Sequence, residues 1–215
     1  KVRSSLRLRA AYENELLRAS TTDTKTGLPN RYGAQQYLHE KMRVSSDEPT
    51  IICIGLNEFK QAGGSLTYDE GIILLRQTAE RLVDIAKNRN PDDFVAFLEN
   101  GIFLYIATNV HSSAFAEVVR EFIDELEKPF DLFGYAFHVS AHAGICLPRG
   151  SSTSPNMLID SAMIALVQAQ RQNVAYRLYR DAMKTKARRT MKLKSSLRLA
   201  LEKEEFFLEY QPLVD

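Results

Sequence analysis

Few side chains of this 215-residue chain have the types and spacing that metal or thiol chemistry requires. Histidine is a common zinc ligand, but His39, His111 and His138 share no ligand spacing. Cys53 and Cys146 lie in separate apolar runs, outside any CxxC pattern. We therefore predict structural or exposed histidines, two buried thiols in a reducing compartment, and no metal site.

A basic stretch near the end of the chain is a candidate binding surface. It contains no acid, and its cations are Lys184, Lys186, Arg188, Arg189, Lys192, Lys194 and Arg198. Such a run can bind nucleic-acid phosphates. No aromatic residues interleave with these cations, however, and apolar residues recur among them at helical spacing. We interpret residues 180–203 as a solvated linker helix and expect no nucleic-acid partner.

The composition is that of an ordinary globular domain, with 45% hydrophobic and 26% charged residues. The formal net charge of +1 creates no global field toward nucleic acid or membranes. No apolar run approaches the ~20 residues that span a bilayer. We expect a cytoplasmic domain without direct membrane contact, excised from a longer parent that is cytoplasmic or membrane-tethered.

Hydrophobic periodicity predicts alternating helices and strands. The predicted order is helices over 1–20 and 31–43, a strand over 51–54, a helix over 72–86, strands over 94–98 and 102–106, a helix over 115–126, a strand over 135–147, a helix over 156–170 and strands over 176–179 and 206–210. Asn100-Gly101 between two β-rich runs is a strong hairpin signal. The order favours an α+β fold with one mixed sheet covered by helices.

Two motifs near the start of the chain carry a specific resemblance. Residues 23–31 read Asp-Thr-Lys-Thr-Gly-Leu-Pro-Asn-Arg, which differs from D-x-L-T-G-L-P-N-R only at Lys25, and residues 55–60 resemble D-I-D-x-F-K. Positions 21–179 thus resemble a GGDEF domain, the module that makes cyclic di-GMP, with Glu99–Phe103 in place of its signature. The resemblance implies a nucleotidyl-cyclase-like fold (a ferredoxin-like palm), here with helical extensions over 1–20 and 180–203.

The last residues resemble a second module. Leu197–Leu201 and Tyr210–Asp215 look like the start of an EAL domain, which hydrolyses cyclic di-GMP in its active members. The resemblance implies that residues 204–215 begin such a domain and that an upstream sensor domain precedes residue 1. Gln211 matches the Gln of Y-Q-P, so in the parent it would contact cyclic di-GMP.

The resemblance also implies that the metal ligands of active members are missing. Their leading Asp of D-I-D-x-F-K is Gly55 here, and the third and fourth residues of the signature are Gly101 and Ile102. Asn57, in place of the other Asp, could supply only a neutral amide oxygen. Mg²⁺ prefers hard oxygen ligands, so we predict no catalytic residue and no cofactor in this fragment, with Mg²⁺ expected only in active relatives or the EAL domain.

The resemblance implies that nucleotide recognition is equally incomplete. The base-reading Asn and Asp of the family align with Gly63 and Ile72, and its paired glycines align with Glu99-Asn100, where a carboxylate would repel phosphate. Asn57, Lys60 and Arg171 remain as vestigial nucleotide-binding candidates, with a plain surface arginine as the alternative for Arg171.

The inhibitory product site of the family, R-x-x-D, is incomplete as well. Here it reads Asn90-Pro91-Asp92-Asp93, so Asp93 is present but the arginine is missing. Arg89 could replace that arginine only with a shift of register. His142 lies where the family prefers serine, and we interpret it as structural.

These substitutions predict a catalytically inactive GGDEF domain that acts as a regulatory or dimerisation relay between the sensor and the EAL domain. The alternative is a domain that senses GTP without hydrolysing it and tunes an attached EAL phosphodiesterase. A working cyclase would need substitute ligands such as Glu58 or Glu99, neither of which aligns with a metal position.

Overall fold

The structure is a computed structural model and describes residues 19–44, 49–57, 66–108, 114–147 and 154–207. The chain divides into two compact units, Lys1–Tyr179 and Arg180–Asp215. The helices of the first unit are α1 (Arg31–Val44), α2 (Tyr68–Arg89), α3 (Phe115–Leu126) and α4 (Pro155–Arg171). Its strands are β1 (Thr50–Leu56), β2 (Phe94–Glu99), β3 (Ile102–Ala107), β4 (Phe130–Leu132), β5 (Tyr135–Phe137), β6 (Ala141–Cys146) and β7 (Tyr176–Leu178).

A five-stranded sheet in the order β2-β3-β1-β6-β7 forms the centre of the first unit. Strand β1 pairs antiparallel with β3 and β6, whereas β7 runs parallel to β6 at the edge. The predicted α+β architecture with one mixed sheet is therefore confirmed, as is the closing edge strand near residue 176.

Two hydrophobic cores lie on opposite faces of this sheet, because successive side chains of a strand alternate between its faces. Ile52 and Ile54 of β1 pack in the core that includes buried residues of α2 and α3. Ile51 and Cys53 pack in the core that includes buried residues of α1 and α4. Both thiols are buried as predicted, and burial raises the pKa of Cys53 and keeps it protonated.

The hairpin predicted at Asn100-Gly101 is confirmed. Glu99 pairs with Ile102, which leaves a two-residue turn. Asn100 and Gly101 have φ angles of 48° and 71°, as a type I′ turn requires. Asparagine and glycine are the residues that adopt this conformation most readily, so the local sequence determines the tip of the hairpin.

The prediction of a single strand over residues 135–147 is wrong. Tyr135–Phe137 pairs with Phe130–Leu132 in a separate two-stranded sheet, and only Ala141–Cys146 joins the main sheet. Phe133 and Gly134 reverse the chain between β4 and β5 with φ angles of 54° and 87°. The apolar alternation of residues 135–139 resembles a strand that continues into β6, and this pattern concealed the break.

The second unit contains helix α5 (Asp181–Glu202), which has no buried residue. The strand predicted over 206–210 begins with Phe206 and Phe207, which are exposed and have no strand conformation. Gln211 and the rest of that segment lie outside the described residues, as does most of the predicted N-terminal helix, of which only residues 19 and 20 are described. None of the helices in the described part of the chain has the length and apolar character that crossing a bilayer requires.

Tyr37 of α1 is a partly buried phenol whose environment disfavours ionisation. Its ring stacks on Phe94 with a centroid distance of 4.0 Å, and its hydroxyl donates to the Asp92 carbonyl oxygen at 2.8 Å. Burial, and then the negative charges of Asp92 and Asp93, raise the pKa of Tyr37 to about 12.

The shift of Tyr37 predicts a loss of stability in alkali. A phenol whose pKa is higher in the folded state contributes stability fully below its unfolded pKa of about 10. That contribution is lost as the pH rises through about 12. We expect Tyr37→Phe to flatten the decline in unfolding free energy between about pH 10 and about pH 12, the interval between the two pKa values. The exposed Tyr135→Phe is the control, and identical pH profiles for Tyr37→Phe and the wild type would contradict the assignment.

Candidate functional site

The end of β1 brings together the three positions that the resemblance assigns to metal binding. Gly55 pairs with Ile102 of β3 on one side and with His142 of β6 on the other. The backbone amide of Leu56 donates to the Gly101 carbonyl oxygen at 3.2 Å. Gly55, Gly101 and Ile102 therefore meet at one corner of the sheet, and none of them has a side-chain oxygen.

Asn57 follows this corner and is bonded to a buried histidine. His142 is 5% exposed. Its Nδ1 lies 2.9 Å from the Val174 carbonyl oxygen and its Nε2 lies 2.8 Å from Asn57 Nδ2. Since a carbonyl oxygen only accepts, Nδ1 carries the proton and Nε2 accepts from the Asn57 amide. The two residues are 85 positions apart, so no spacing along the chain signals this pair; only the β1–β6 register does.

A cleft of about 470 Å³ lies beside the hairpin. Ile72 of α2 lines it together with Glu99, Asn100 and Gly101, so the predicted base-reading position and the signature positions face one cavity. The remaining lining residues are largely apolar and include Leu66, Tyr68, Leu75, Phe97 and Leu98. An isoleucine cannot form hydrogen bonds to a base edge, and Glu99 brings a negative charge to the place where phosphates would approach.

The rim of this cleft carries one further acid and one base. Asp23 Oδ2 accepts from the backbone amides of Lys25 and Thr26 at 3.1 and 2.8 Å, and from the Thr26 hydroxyl at 2.9 Å. The Lys25 ammonium lies 5.8 Å from the centroid of the Tyr68 ring. The Asp23 carboxylate therefore holds the turn that enters α1 and is engaged within the protein.

The residues at this corner do not fit a magnesium ion. Mg²⁺ is usually bound through carboxylates and keeps several waters. None of the three residues at the corner, Gly55, Gly101 and Ile102, has a carboxylate. The Gly101 carbonyl oxygen already accepts a hydrogen bond from the Leu56 backbone amide. Within the described ranges, no group of three or more His, Cys, Asp or Glu side chains could hold a metal ion.

The other nucleotide candidates are only partly described. Arg171 is exposed at the last position of α4, whereas Lys60 and Gly63 lie outside the described residues. Asn57 lies near the corner of Gly55 and is bonded to the imidazole of His142. The role of these residues in nucleotide binding therefore stays a prediction.

Asp93, the remnant of the inhibitory motif, is bonded to strand β3. Its carboxylate accepts from the Tyr105 hydroxyl, and from the Thr108 amide and hydroxyl at 2.9 and 3.0 Å. Arg89 forms an ion pair with Glu121 of α3. Both remnants of this motif therefore have structural partners. The sequence offered no signal for them, because Tyr105 and Thr108 are brought to Asp93 only by the β2–β3 pairing.

Comparison with known proteins is consistent with this architecture. Residues 20–175 match the family described as "Diguanylate cyclase, GGDEF domain". The chain is 25% identical over 95% of its length to the bifunctional diguanylate cyclase/cyclic di-GMP phosphodiesterase MucR of Pseudomonas aeruginosa, and covers 30% of that protein. It is also 25% identical over 91% of its length to the cyclic di-GMP phosphodiesterase PdeR of Escherichia coli, of which it covers 29%.

A solved structure supports the fold. The sensory box/GGDEF family protein of Caulobacter crescentus superposes with a TM-score of 0.63 at 26% identity, over 71% of this chain and 99% of that one. This similarity confirms the predicted nucleotidyl-cyclase-like fold. The chain spans less than a third of the length of the curated relatives it matches, with coverages of 24%, 25% and 30% for the first three. Since the family match extends over most of the sequence, the chain belongs to the GGDEF domain family.

Proposed function

We propose that this GGDEF domain is catalytically inactive and acts as a regulatory or dimerisation relay in cyclic di-GMP signalling, coupled to a downstream EAL domain. The observation that carries the proposal is the corner at which Gly55, Gly101 and Ile102 meet without one side-chain oxygen. Joining two GTP molecules means attack of a 3′-hydroxyl on an α-phosphate. The charge that develops on the phosphates must be neutralised by metal ions or cationic groups.

The cleft adds a second obstacle to catalysis. Ile72 replaces the hydrogen-bonding group that would read guanine, and Glu99 sits at the hairpin that phosphates would have to approach. A site that has lost its polar partners discriminates poorly between bases. Binding of the nucleotide, its orientation and neutralisation of its phosphate charge are therefore all weakened around this hairpin.

The relay role is supported by the organisation of the chain. Helix α5 has 22 residues, which at about 1.5 Å per residue corresponds to roughly 33 Å. The relatives MucR and PdeR, whose names include cyclic di-GMP phosphodiesterase, are more than three times as long as the stretch that this chain covers. We therefore propose an EAL domain after α5, with Gln211 as a ligand contact in the parent, and an upstream sensor domain. A homodimer of the cytoplasmic GGDEF domain would allow the sensor to act on both copies.

The test is a turnover assay on the purified chain with GTP and Mg²⁺. We expect no cyclic di-GMP above the background of a reaction without protein, because the corner formed by Gly55, Gly101 and Ile102 offers no side-chain ligand for a metal ion. An active diguanylate cyclase assayed in parallel shows that the conditions support synthesis. Product formed at a rate comparable to that of the active enzyme would overturn the proposal. This holds whichever side chain, Glu99 included, supplied the substitute metal ligand.

A GTP-sensing role is the second candidate, and the cleft of about 470 Å³ beside the hairpin is the observation that favours it. Such a domain would bind GTP without turnover and tune an attached phosphodiesterase. Calorimetry with GTP in the presence of Mg²⁺ separates the two roles. The relay predicts no binding heat up to millimolar GTP, whereas saturable heat without product would establish the sensor.

A further inference from the structure

The backbone of Gly55 faces helix α4 at very short range. A Cβ atom added at Gly55 would lie 2.9 Å from Gln170 Nε2, and 3.0 and 3.3 Å from the two methyl groups of Leu166. Cβ contacts below about 3 Å essentially do not occur in folded proteins, because the repulsion between the atoms is steep. Any side chain at position 55 would therefore enter space that Leu166 and Gln170 already fill.

This arrangement follows from the way α4 lies along β1. Cys53 lies on the same face of β1 as residue 55. Its Sγ lies 3.9 Å from the carbonyl oxygen of Ile159, which precedes Leu166 on α4. Ile102, the strand partner of Gly55, belongs to the same core as Leu166. The position that the resemblance assigns to the leading metal-binding Asp is thus directed under α4, toward Leu166 and Gln170.

Helix α4 lies in direct contact with strand β6, the neighbour of β1. At Gly144 the helix backbone touches the sheet so closely that a Cβ there would lie 2.1 Å from the Ala162 carbonyl oxygen and from the Leu166 amide nitrogen. Leu166 is fully buried, so its rotamers are restricted by close packing. The space at position 55 is therefore filled by the buried Leu166 side chain and by the end of the Gln170 side chain, which must move to admit a Cβ atom.

We propose that Leu166 and Gln170 plug the former metal position, so that loss of cation binding is encoded on α4 as well as on β1 and the hairpin. The inference rests on the proposed function, since it explains why the site is closed in an inactive domain. A branched hydrocarbon and a neutral amide take the volume that a carboxylate and a hydrated divalent ion need. Restoring Asp at position 55 alone then does not restore a metal site.

A double-mutant cycle tests the steric part. Gly55→Ala, Gln170→Ala and the double variant are compared by thermal unfolding of the full chain. We expect Gly55→Ala to lower the Tm, Gln170→Ala to change it little, and the double variant to recover most of the loss, because contacting sites couple. Gln36→Ala on the exposed face of α1 is the matched control and should be additive with Gly55→Ala. Additivity of Gly55→Ala with Gln170→Ala would overturn the proposal.

Cation binding tests the second part. Mn²⁺ is titrated into Gly55→Asp/Ile102→Glu, which restores a carboxylate on β1 and one at the hairpin, and into the same variant with Gln170→Ala, with binding followed by electron paramagnetic resonance. We expect the variant with Gln170→Ala to bind Mn²⁺ about tenfold more tightly, the lower end of the range over which residues next to metal ligands change affinity. Equal affinity, or no binding by either variant, would overturn the plug as the obstacle to metal binding.

The two proposals fail in different ways. A wild-type chain that makes cyclic di-GMP overturns the inactive relay, whatever the mutant cycles show. A wild-type chain without activity, combined with additive unfolding data and equal Mn²⁺ binding, leaves the relay intact and removes the plug.

Discussion

The Gly144→Ala variant is expected to lose a large share of the stability of the first unit. A Cβ at this position would lie 2.1 Å from the Ala162 carbonyl oxygen and the Leu166 amide nitrogen, and 2.7 Å from the Leu166 Cα. All three are backbone atoms of α4, so no rotamer change relieves the clash, and the helix must move away from β6. Overpacking a core costs about 1–3 kcal/mol and occasionally more. Because the clashing atoms of α4 belong to rigid backbone, we expect the free energy of unfolding to fall by at least about 3 kcal/mol. The total for a typical domain is about 5–15 kcal/mol.

Thermal unfolding of Gly144→Ala should show a Tm lower by about 6–12 °C or more, at roughly 2–4 °C per kcal/mol for a domain of this size. Gly134→Ala is the control, because it adds a Cβ at the tip of the β4–β5 hairpin with no atom within 4 Å. Its φ of 87° leaves only backbone strain, at about 1–2 kcal/mol. If the two variants unfold at the same temperature, close packing of α4 on Gly144 is not the source of stability there.

The sequence predicted the fold where local chemistry decides the structure. Asn100-Gly101 predicts a tight hairpin, and the structure has one there. The apolar run at residues 51–54 lies in the central strand β1, which is buried on both faces. The prediction failed at residues 135–147, where alternating apolar residues continue through two strands that belong to different sheets. Residues 138–140 separate these two strands. The left-handed conformations of Phe133 and Gly134 turn β5 back onto β4, and phenylalanine gives no warning of such a turn.

The family motifs could name the positions of the candidate site but not the contacts made there. Motif spacing identified Gly55, Gly101 and Ile102, and the strand register brings these three together. The bond between Asn57 and His142 and the filling of position 55 by Leu166 and Gln170 could not be predicted. Each depends on which face of a strand meets which turn of a helix, and a single sequence does not specify that packing.

Removal of the Asp93 carboxylate is expected to destabilise the domain rather than abolish a regulatory site. Its oxygens accept three hydrogen bonds, from the Tyr105 hydroxyl and from the amide and hydroxyl of Thr108. Tyr105 is 1% exposed. Burial, followed by the hydrogen bond to Asp93 and the charge of that carboxylate, raises the pKa of Tyr105, which keeps the phenol protonated as a donor. Asp93→Ala leaves that buried hydroxyl without its acceptor.

A buried polar group that loses its partner costs about 1–3 kcal/mol, and Asp93→Ala also weakens the anchoring of Thr108 at the end of β3. We therefore expect a loss of about 2–4 kcal/mol in denaturant unfolding, with a smaller loss for Asp93→Asn, which keeps one acceptor oxygen. The neighbouring Asp92→Ala, whose side chain is exposed, should stay within about 0.5 kcal/mol of the wild type. An Asp93→Ala protein of unchanged stability that has lost affinity for cyclic di-GMP would contradict the structural role. That result would return Asp93 to the inhibitory site. We do not expect it, because without the arginine of that motif a carboxylate alone has no means of pairing with the phosphates of the dinucleotide.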